Sequence, residues 1–210
     1  MDLVKILNTK AIRILQNVES PGVFLPDLSK FVAERYKFVH YPTTAEEYSA
    51  DHIEFRFGTF SNRIISKLQI YRSGLYVEAN TSTDELDKFL DDIITALETV
   101  GSTASRDGVQ KLYGSTLEIK MSSQFSTWFR QLDPVVASVK SAIAQSGVAV
   151  ASYEVSGFTI SGEGPEAFKP PRFVLERRVE QPFEANLFFS EGPLSTMQHL
   201  GVLEQIESLF

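Results

Sequence analysis

The stretch over residues 53–100 constrains the fold of this 210-residue chain more than any other. Apolar and polar residues alternate over residues 53–57, 64–71 and 75–80. Alternation with a period of two is typical of strands that have one buried face. The stretch therefore predicts three antiparallel strands, the last two of which form a hairpin.

The turn of this hairpin is predicted at Ser73 and Gly74, because glycine supplies the backbone conformation that a tight turn requires. With these two residues as the loop, Ile70 lies opposite Val77, and the apolar pairs share one face. A slip by one residue would mix the faces. The residues predicted to face the core are Ile53, Phe55, Phe57, Ile64, Leu68, Ile70, Leu75, Val77 and Ala79.

A helix is predicted directly after the third strand. Ser82 and Glu85 have the spacing of a capping box, in which two side chains satisfy exposed backbone N–H groups. The apolar residues that follow recur at helical spacing: Leu86, Phe89, Leu90, Ile93, Ile94, Leu97 and Val100. This stripe predicts an amphipathic helix over residues 82–99 that covers the apolar face of the strands.

The first 50 residues are predicted to form a helical lead-in. Apolar residues from Leu3 to Leu15 recur with a helical period, and Pro26 with Asp27 begins a second, shorter helix. The polar, glycine-containing residues 101–110 predict a linker. The chain from 51 to 210 is then one α+β domain, with two possible lobes over residues 51–100 and 111–210.

The second half continues the same alternation of strands and helices. Strands are predicted at 113–121, 148–162, 173–179 and 184–190, with a β-bulge at Gly157. Helices are predicted at 134–146 and 194–207, the first with a buried stripe of Val135 or Val136, Val139, Ala142 and Ile143. The fold class is therefore α+β, mainly an antiparallel sheet of six to seven strands covered by amphipathic helices.

Composition excludes several classes of function. The chain has no cysteine, which removes disulfides, thiolate metal sites and cysteine nucleophiles, and fits a cytoplasmic protein. The net charge of −7 disfavours nucleic-acid binding, which requires lysine and arginine to neutralise phosphates. Charged residues interrupt the N-terminal 17 residues, so we expect no signal peptide. No run of about 18 apolar residues occurs, so we expect no membrane span.

Catalytic, metal and cofactor motifs are not found in the sequence. The three histidines, His40, His52 and His199, have no metal-site spacing. The acidic residues over 84–92 are typical of a solvated helix face, with binding of a divalent cation or mimicry of a phosphate backbone as the alternatives. No nucleophile elbow or phosphate loop occurs. We therefore expect no catalytic residues, no metal and no cofactor, and we lean away from an enzyme.

One local concentration of positive charge stands out in the second half. Arg172, Arg177 and Arg178, together with His199, could form a small anion-binding pocket. Strand alternation puts Arg177 and Arg178 on opposite faces, so one of them is predicted to point inward and to need a partner. The structural alternative is that these arginines form ion pairs with Glu176, Glu180 or Glu184.

The strand at 184–190 is apolar on both faces, with Phe188 on one face and Phe189 on the other. Such a strand is either sandwiched between two layers or lies at an interface. The sequence therefore favours a non-enzymatic cytoplasmic module that binds a protein partner or associates with itself. The alternative is an enzyme or sensor for a small anionic, phosphorylated ligand, held by the arginine and histidine cluster.

Overall fold

The computed structural model describes residues 1–19, 24–49, 51–101, 103–147, 153–163 and 172–209. Within them the chain forms eight strands and six α-helices and divides into two compact units. The N-terminal unit comprises Ile6–Thr116 and Pro193–Met197, and the C-terminal unit comprises Met1–Lys5, Leu117–Gly192 and Gln198–Phe210. The α+β class and the antiparallel pairing are confirmed, with eight strands where the sequence predicted six to seven.

The N-terminal unit is built from five strands, two of which extend into the other unit. Its elements are β1 (Asp2–Glu19), α1 (Leu25–Tyr36), α2 (Ala45–Ser49), β2 (His52–Phe60), β3 (Arg63–Tyr71), β4 (Gly74–Ala79), α3 (Thr83–Thr99) and β5 (Thr103–Lys120). The hydrogen-bonded strand order is β2-β3-β4-β1-β5. The strands pack their apolar face against α1 and α3, and that layer forms the main core of the unit.

The C-terminal unit has three strands of its own, in the order β8-β7-β6, and β8 lies beside β5. Its elements are α4 (Ser123–Trp128), a 3-10 helix (Phe129–Leu132), α5 (Asp133–Gln145), β6 (Gly157–Ile160), β7 (Phe173–Arg177), a second 3-10 helix (Phe183–Ala185), β8 (Leu187–Gly192) and α6 (Thr196–Ser208). The β6–β7 and β7–β8 pairings are antiparallel.

The predicted first helix is wrong, because this segment is the long strand β1. It pairs antiparallel with β4, and Thr9 lies opposite Ala79. Ala11, Arg13 and Leu15 are buried on the side of α3, so the strand does alternate with a period of two. Because Arg13 occupies an inward position, the alternation is interrupted in the sequence, and the remaining apolar residues recur with an apparent helical period. Of the predicted lead-in, only α1 and α2 are helical.

A buried arginine joins β1 to α3. Only 1% of Arg13 is exposed, and its Nη2 lies 2.9 Å from Asp87 Oδ1 and 3.3 Å from Asp91 Oδ1. Tyr113 of β5 donates a hydrogen bond of 2.8 Å to Asp87 Oδ2. Burial and this carboxylate raise the pKa of Tyr113 to about 12. Asp87 therefore contacts both β1 and β5 from α3.

Helix α3 confirms the prediction for residues 82–99. Ser82 is its N-cap, and its Oγ accepts a hydrogen bond of 3.4 Å from the backbone N–H of Glu85. The Glu85 carboxylate does not complete the capping box but lies 2.6 Å from Lys88 Nζ. Six residues of the predicted stripe are buried, together with Ala96, while Val100 is only half-buried; the six are Leu86, Phe89, Leu90, Ile93, Ile94 and Leu97.

The hairpin between β3 and β4 is present, but its register differs by two residues from the prediction. Ile70 lies opposite Leu75, and the loop residues are Arg72 and Ser73. A two-residue shift keeps every side chain on its face, so the hydrophobic pattern does not distinguish the two registers. Strand β1 requires the glycine here, because a Cβ at Gly74 would lie 2.1 Å from the Arg13 carbonyl oxygen.

Two local irregularities move side chains away from their predicted faces. The register between β3 and β4 shifts between Ile65 and Lys67, so Ile65 is buried while Ile64 is 66% exposed. Phe57 has a positive φ of 57° and is 53% exposed, although alternation placed it in the core. The side chains therefore stay on their predicted faces in β2 before Phe57 and in β3 after the shift.

Two predicted boundaries also change. The predicted linker at 101–110 contributes residues to β5, which begins at Thr103. The predicted strand at 148–162 is limited to β6, which begins at Gly157, and residues 148–152 lie outside the described residues. Gly157 is required by close packing rather than by a bulge, because its Cβ would lie 2.0 Å from the Leu175 carbonyl oxygen.

We predict that Asp87→Ala lowers the free energy of unfolding by roughly 2–4 kcal/mol, because it leaves the buried Arg13 charge without its main partner. Asp91→Ala is the matched control. The side chain of Asp91 is 68% exposed, so we expect a loss of under about 1 kcal/mol. Urea unfolding followed by circular dichroism measures both, and equal losses in the two variants would contradict the role given to Asp87.

We also predict that Ile65→Ala lowers the free energy of unfolding by about 2–4 kcal/mol, because a cavity replaces a fully buried side chain. Ile64→Ala, one residue away, should change it by less than about 1 kcal/mol. The same unfolding experiment compares the two. A larger loss for Ile64→Ala would restore the alternation that the sequence predicted.

Candidate functional site

The adjacent arginines at the end of β7 lie in different surroundings. Arg177 lies opposite Phe188 on β8, and only 9% of its side chain is exposed. Its guanidinium carbon is 5.2 Å from the centre of the Phe188 ring, a cation–π contact. Burial lowers the pKa of Arg177, although the nearby carboxylates of Glu154 and Glu184 oppose this change. Arg177 is thus part of the packing around Phe188.

Arg178 is more exposed than its neighbour. Its side chain is 42% exposed, and its Nε lies 3.2 Å from Glu118 Oε2 on β5. For Arg177 the ion pair is with Glu154, whose Oε2 lies 3.8 Å from Nη2. The prediction that one of the two arginines points inward is confirmed, and that arginine is Arg177. Of the predicted glutamates, Glu184 is close enough to act electrostatically on Arg177.

His199 of α6 lies in the interior of the C-terminal unit and is fully buried. Its Nε2 is 2.8 Å from Ser190 Oγ, and its ring meets Phe173 edge to face at 5.3 Å between centroids. Ser190 donates its own hydroxyl proton to the Val174 carbonyl oxygen at 2.8 Å. The imidazole therefore donates to the serine. This is the reverse of the polarity that activates a serine nucleophile.

The four residues of the predicted anion pocket do not converge on one point. Arg172 is exposed and precedes β7. It lies five residues from Arg177, which is roughly 16 Å along an extended chain. His199 is on the same side of the sheet as Arg177 but is bonded to Ser190, two residues along β8 from Phe188. Binding of an anionic ligand by part of this set stays a prediction.

The strand that is apolar on both faces is β8. Phe188 is fully buried and meets Phe125 edge to face at 5.2 Å, so its face belongs to the core. Phe189 lies opposite Glu176 and is half-buried. An interface at Phe189 stays a prediction.

Helix α5 is the element that departs most from the expected packing. None of its residues is buried, although the sequence predicted a stripe facing the sheet. Val135 is 60% exposed and Val139 is 39% exposed. The stripe exists, but it lies at the surface of the C-terminal unit. Periodicity finds such a stripe, and it contains no information about which partner covers it.

The exposed stripe continues beyond the start of α5. Leu132 is 45% exposed and Trp128 is 38% exposed, and both precede the helix. We call Trp128, Leu132, Val135 and Val139 the apolar ridge. Val135 and Val139 lie four positions apart and therefore share one face of α5. Leu132 and Trp128 precede them, at the ends of the 3-10 helix and of α4. Phe129, next to Trp128, is buried, and its ring meets Phe125 edge to face. This packing holds the chain in place at the start of the ridge.

Comparison with known proteins gives no family for this chain. Neither a scan of protein-family models nor a search of curated proteins finds a match. No helix among the described residues is long and apolar enough to cross a membrane. Within the same residues, no group of three or more histidine, aspartate and glutamate side chains could hold a metal ion.

We predict that Arg177→Ala destabilises the C-terminal unit by roughly 1.5–3 kcal/mol, because it uncovers Phe188. Arg178→Ala is the matched control and should cost about 0–1 kcal/mol, since its ion pair is exposed. Trp128 is the single tryptophan, so its fluorescence during urea unfolding reports on this unit. An unchanged unfolding midpoint for Arg177→Ala would show that Arg177 does not have this structural role.

Proposed function

We propose that this protein is a non-enzymatic cytoplasmic binding and assembly module, which joins a second protein surface through the apolar ridge on α5. The observation that supports this proposal is the absence of any buried residue in α5, a helix whose sequence contains a clear apolar stripe. Contiguous apolar surface of this kind is typical of sites of protein interaction. The cysteine-free composition is compatible with a reducing compartment.

Burial of the apolar ridge in an interface contributes favourable free energy to association. Fully burying one large apolar side chain contributes roughly 1.5–3 kcal/mol. Four half-exposed side chains, one of them a tryptophan, therefore contribute several kcal/mol on contact with an apolar partner. Tryptophan is also enriched among the residues that dominate binding energies. The ridge thus has the composition of the centre of an interface.

A second copy of the chain is the partner that the ridge fits most directly. Helix α5 contains one acidic residue, Asp133, and one basic residue, Lys140, so this surface is neutral although the chain carries a net charge of −7. Two copies can therefore bring their ridges together without repulsion between these helices. An isologous pair places the same stripe on both sides, and an apolar stripe is complementary to itself.

We predict that the wild-type chain forms a dimer whose fraction rises with concentration in multi-angle light scattering. Val139→Asp should weaken association at least about tenfold, because a carboxylate would be buried without a partner. The folded monomer should stay intact, since Val139 is already 39% exposed.

Ser141→Asp is the matched control, because position 141 lies on the opposite side of α5 and is exposed. It should leave the dimer fraction unchanged. A strict monomer at high concentration, together with no partner whose binding Val139→Asp abolishes, would contradict the proposal. Equal effects of the two aspartates would show that the ridge is not the contact surface.

A further inference from the structure

A cleft of about 770 Å³ lies at the edge of the N-terminal unit, beside β2. The segment before α2 forms one wall, because the backbone N–H of Arg56 donates to the His40 carbonyl oxygen at 2.9 Å and His40 N–H donates back at 3.2 Å. The other wall is formed by side chains of β2. The volume lies in the range of sites that bind small molecules.

Both carboxylates that line the cleft already have partners. Glu54 Oε1 accepts a hydrogen bond from Arg56 Nε at 2.6 Å, and Oε2 accepts one from Gln69 Nε2 at 2.6 Å. Glu47 Oε2 accepts from the backbone N–H groups of Thr43 and Thr44 at 2.8 and 2.9 Å. These bonds hold the pKa of Glu47 below its usual range. Neither carboxylate therefore needs a cationic ligand.

The hydrogen-bond donors of the cleft are less fully used. Arg56 is fixed through Nε, and its terminal nitrogens contact no carboxylate among the described residues. Its side chain is 57% exposed. His52 Nε2 lies 3.1 Å from Gln69 Nε2, which donates to Glu54, so the proton of the neutral ring is on Nδ1. The cleft thus offers a guanidinium whose position is set by Glu54, and the His52 imidazole is also among its lining residues.

The opposite half of the lining is apolar and exposed. Val39 is 66% exposed, Phe57 is 53% exposed and Tyr41 is 38% exposed. The Phe57 ring meets His40 edge to face at 6.0 Å. Phe57 has a φ of 57°, a costly conformation for a bulky aromatic residue, and it places this ring outside the core. Such strain is concentrated at sites of function.

We propose that this cleft binds a small monocarboxylate that has an aromatic or branched apolar body, with the Arg56 guanidinium on the carboxylate and Phe57 and Val39 on the body. A planar guanidinium matches a carboxylate in geometry. The lining has one arginine and two glutamates, and the glutamates repel a dianionic phosphate more strongly than a monoanion. This site is independent of the apolar ridge and of the proposed assembly function.

Binding of phenylacetate, measured by ligand-observed NMR and by calorimetry, tests the proposal. Phenylacetamide has the same body without the charge, and phenyl phosphate has the same ring with a dianionic group. Phenylacetate should bind, and each of the other two should bind at least about tenfold more weakly. Tighter binding of phenyl phosphate, or no binding of phenylacetate, overturns the proposal.

The Arg56→Gln variant should raise the dissociation constant of phenylacetate at least about tenfold, because the amide has no charge. Arg72→Gln, in the exposed turn between β3 and β4, is the matched control and should leave it unchanged. Phe57→Gly relieves the positive φ and removes the apolar wall, so it should weaken binding while the fold is retained. Equal affinity of Arg56→Gln and the wild type, with circular dichroism unchanged, would place the ligand elsewhere.

Discussion

The ion pair between Arg13 and Asp87 is the interaction on which the N-terminal unit depends most. An arginine that is 1% exposed needs a counter-charge, and α3 provides it. The same carboxylate accepts a hydrogen bond from Tyr113 on β5, so one side chain of the helix fixes two strands. Apolar packing by α3 holds the helix on the sheet, but this charge sets its position over β1. Replacement of the pair by apolar residues could keep the layer and lose that position.

The region from β2 to α3 shows how much of this fold could be predicted. Its strands, helix and N-cap follow from period, turn and capping signals that agree with one another. The register of the hairpin does not follow, because the strand that fixes it, β1, is remote in sequence. For β1 itself, the inward Arg13 removed the period-two signal. Errors therefore arise where a charge replaces an apolar residue or where a distant strand decides the register.

In the candidate sites, too, the local pattern predicts the face of a side chain, while remote segments decide its contacts. Alternation correctly predicted that one of Arg177 and Arg178 points inward, but the carboxylates that pair with them, Glu154 and Glu118, come from remote segments. The sequence groups His199 with the arginines in an anion pocket, whereas the structure surrounds it with Ser190 and Phe173. Periodicity identifies the stripe of α5 but predicts that it faces the core, whereas no residue of α5 is buried. Sequence periodicity identifies a face, and only tertiary contacts identify what lies against it.

The place of β1 in the sheet has a consequence for how the chain folds. Thr9 bonds to the carbonyl oxygen of Ala79, 70 residues later. During synthesis, the first strand therefore emerges long before its neighbours β4 and β5 exist. Pairing over such a separation is slow, because the intervening chain must first be ordered. Until then the segment has a helical period and no sheet to join, so local α-structure competes with the native strand. The hairpin and α3 are local and can form a template that β1 joins last.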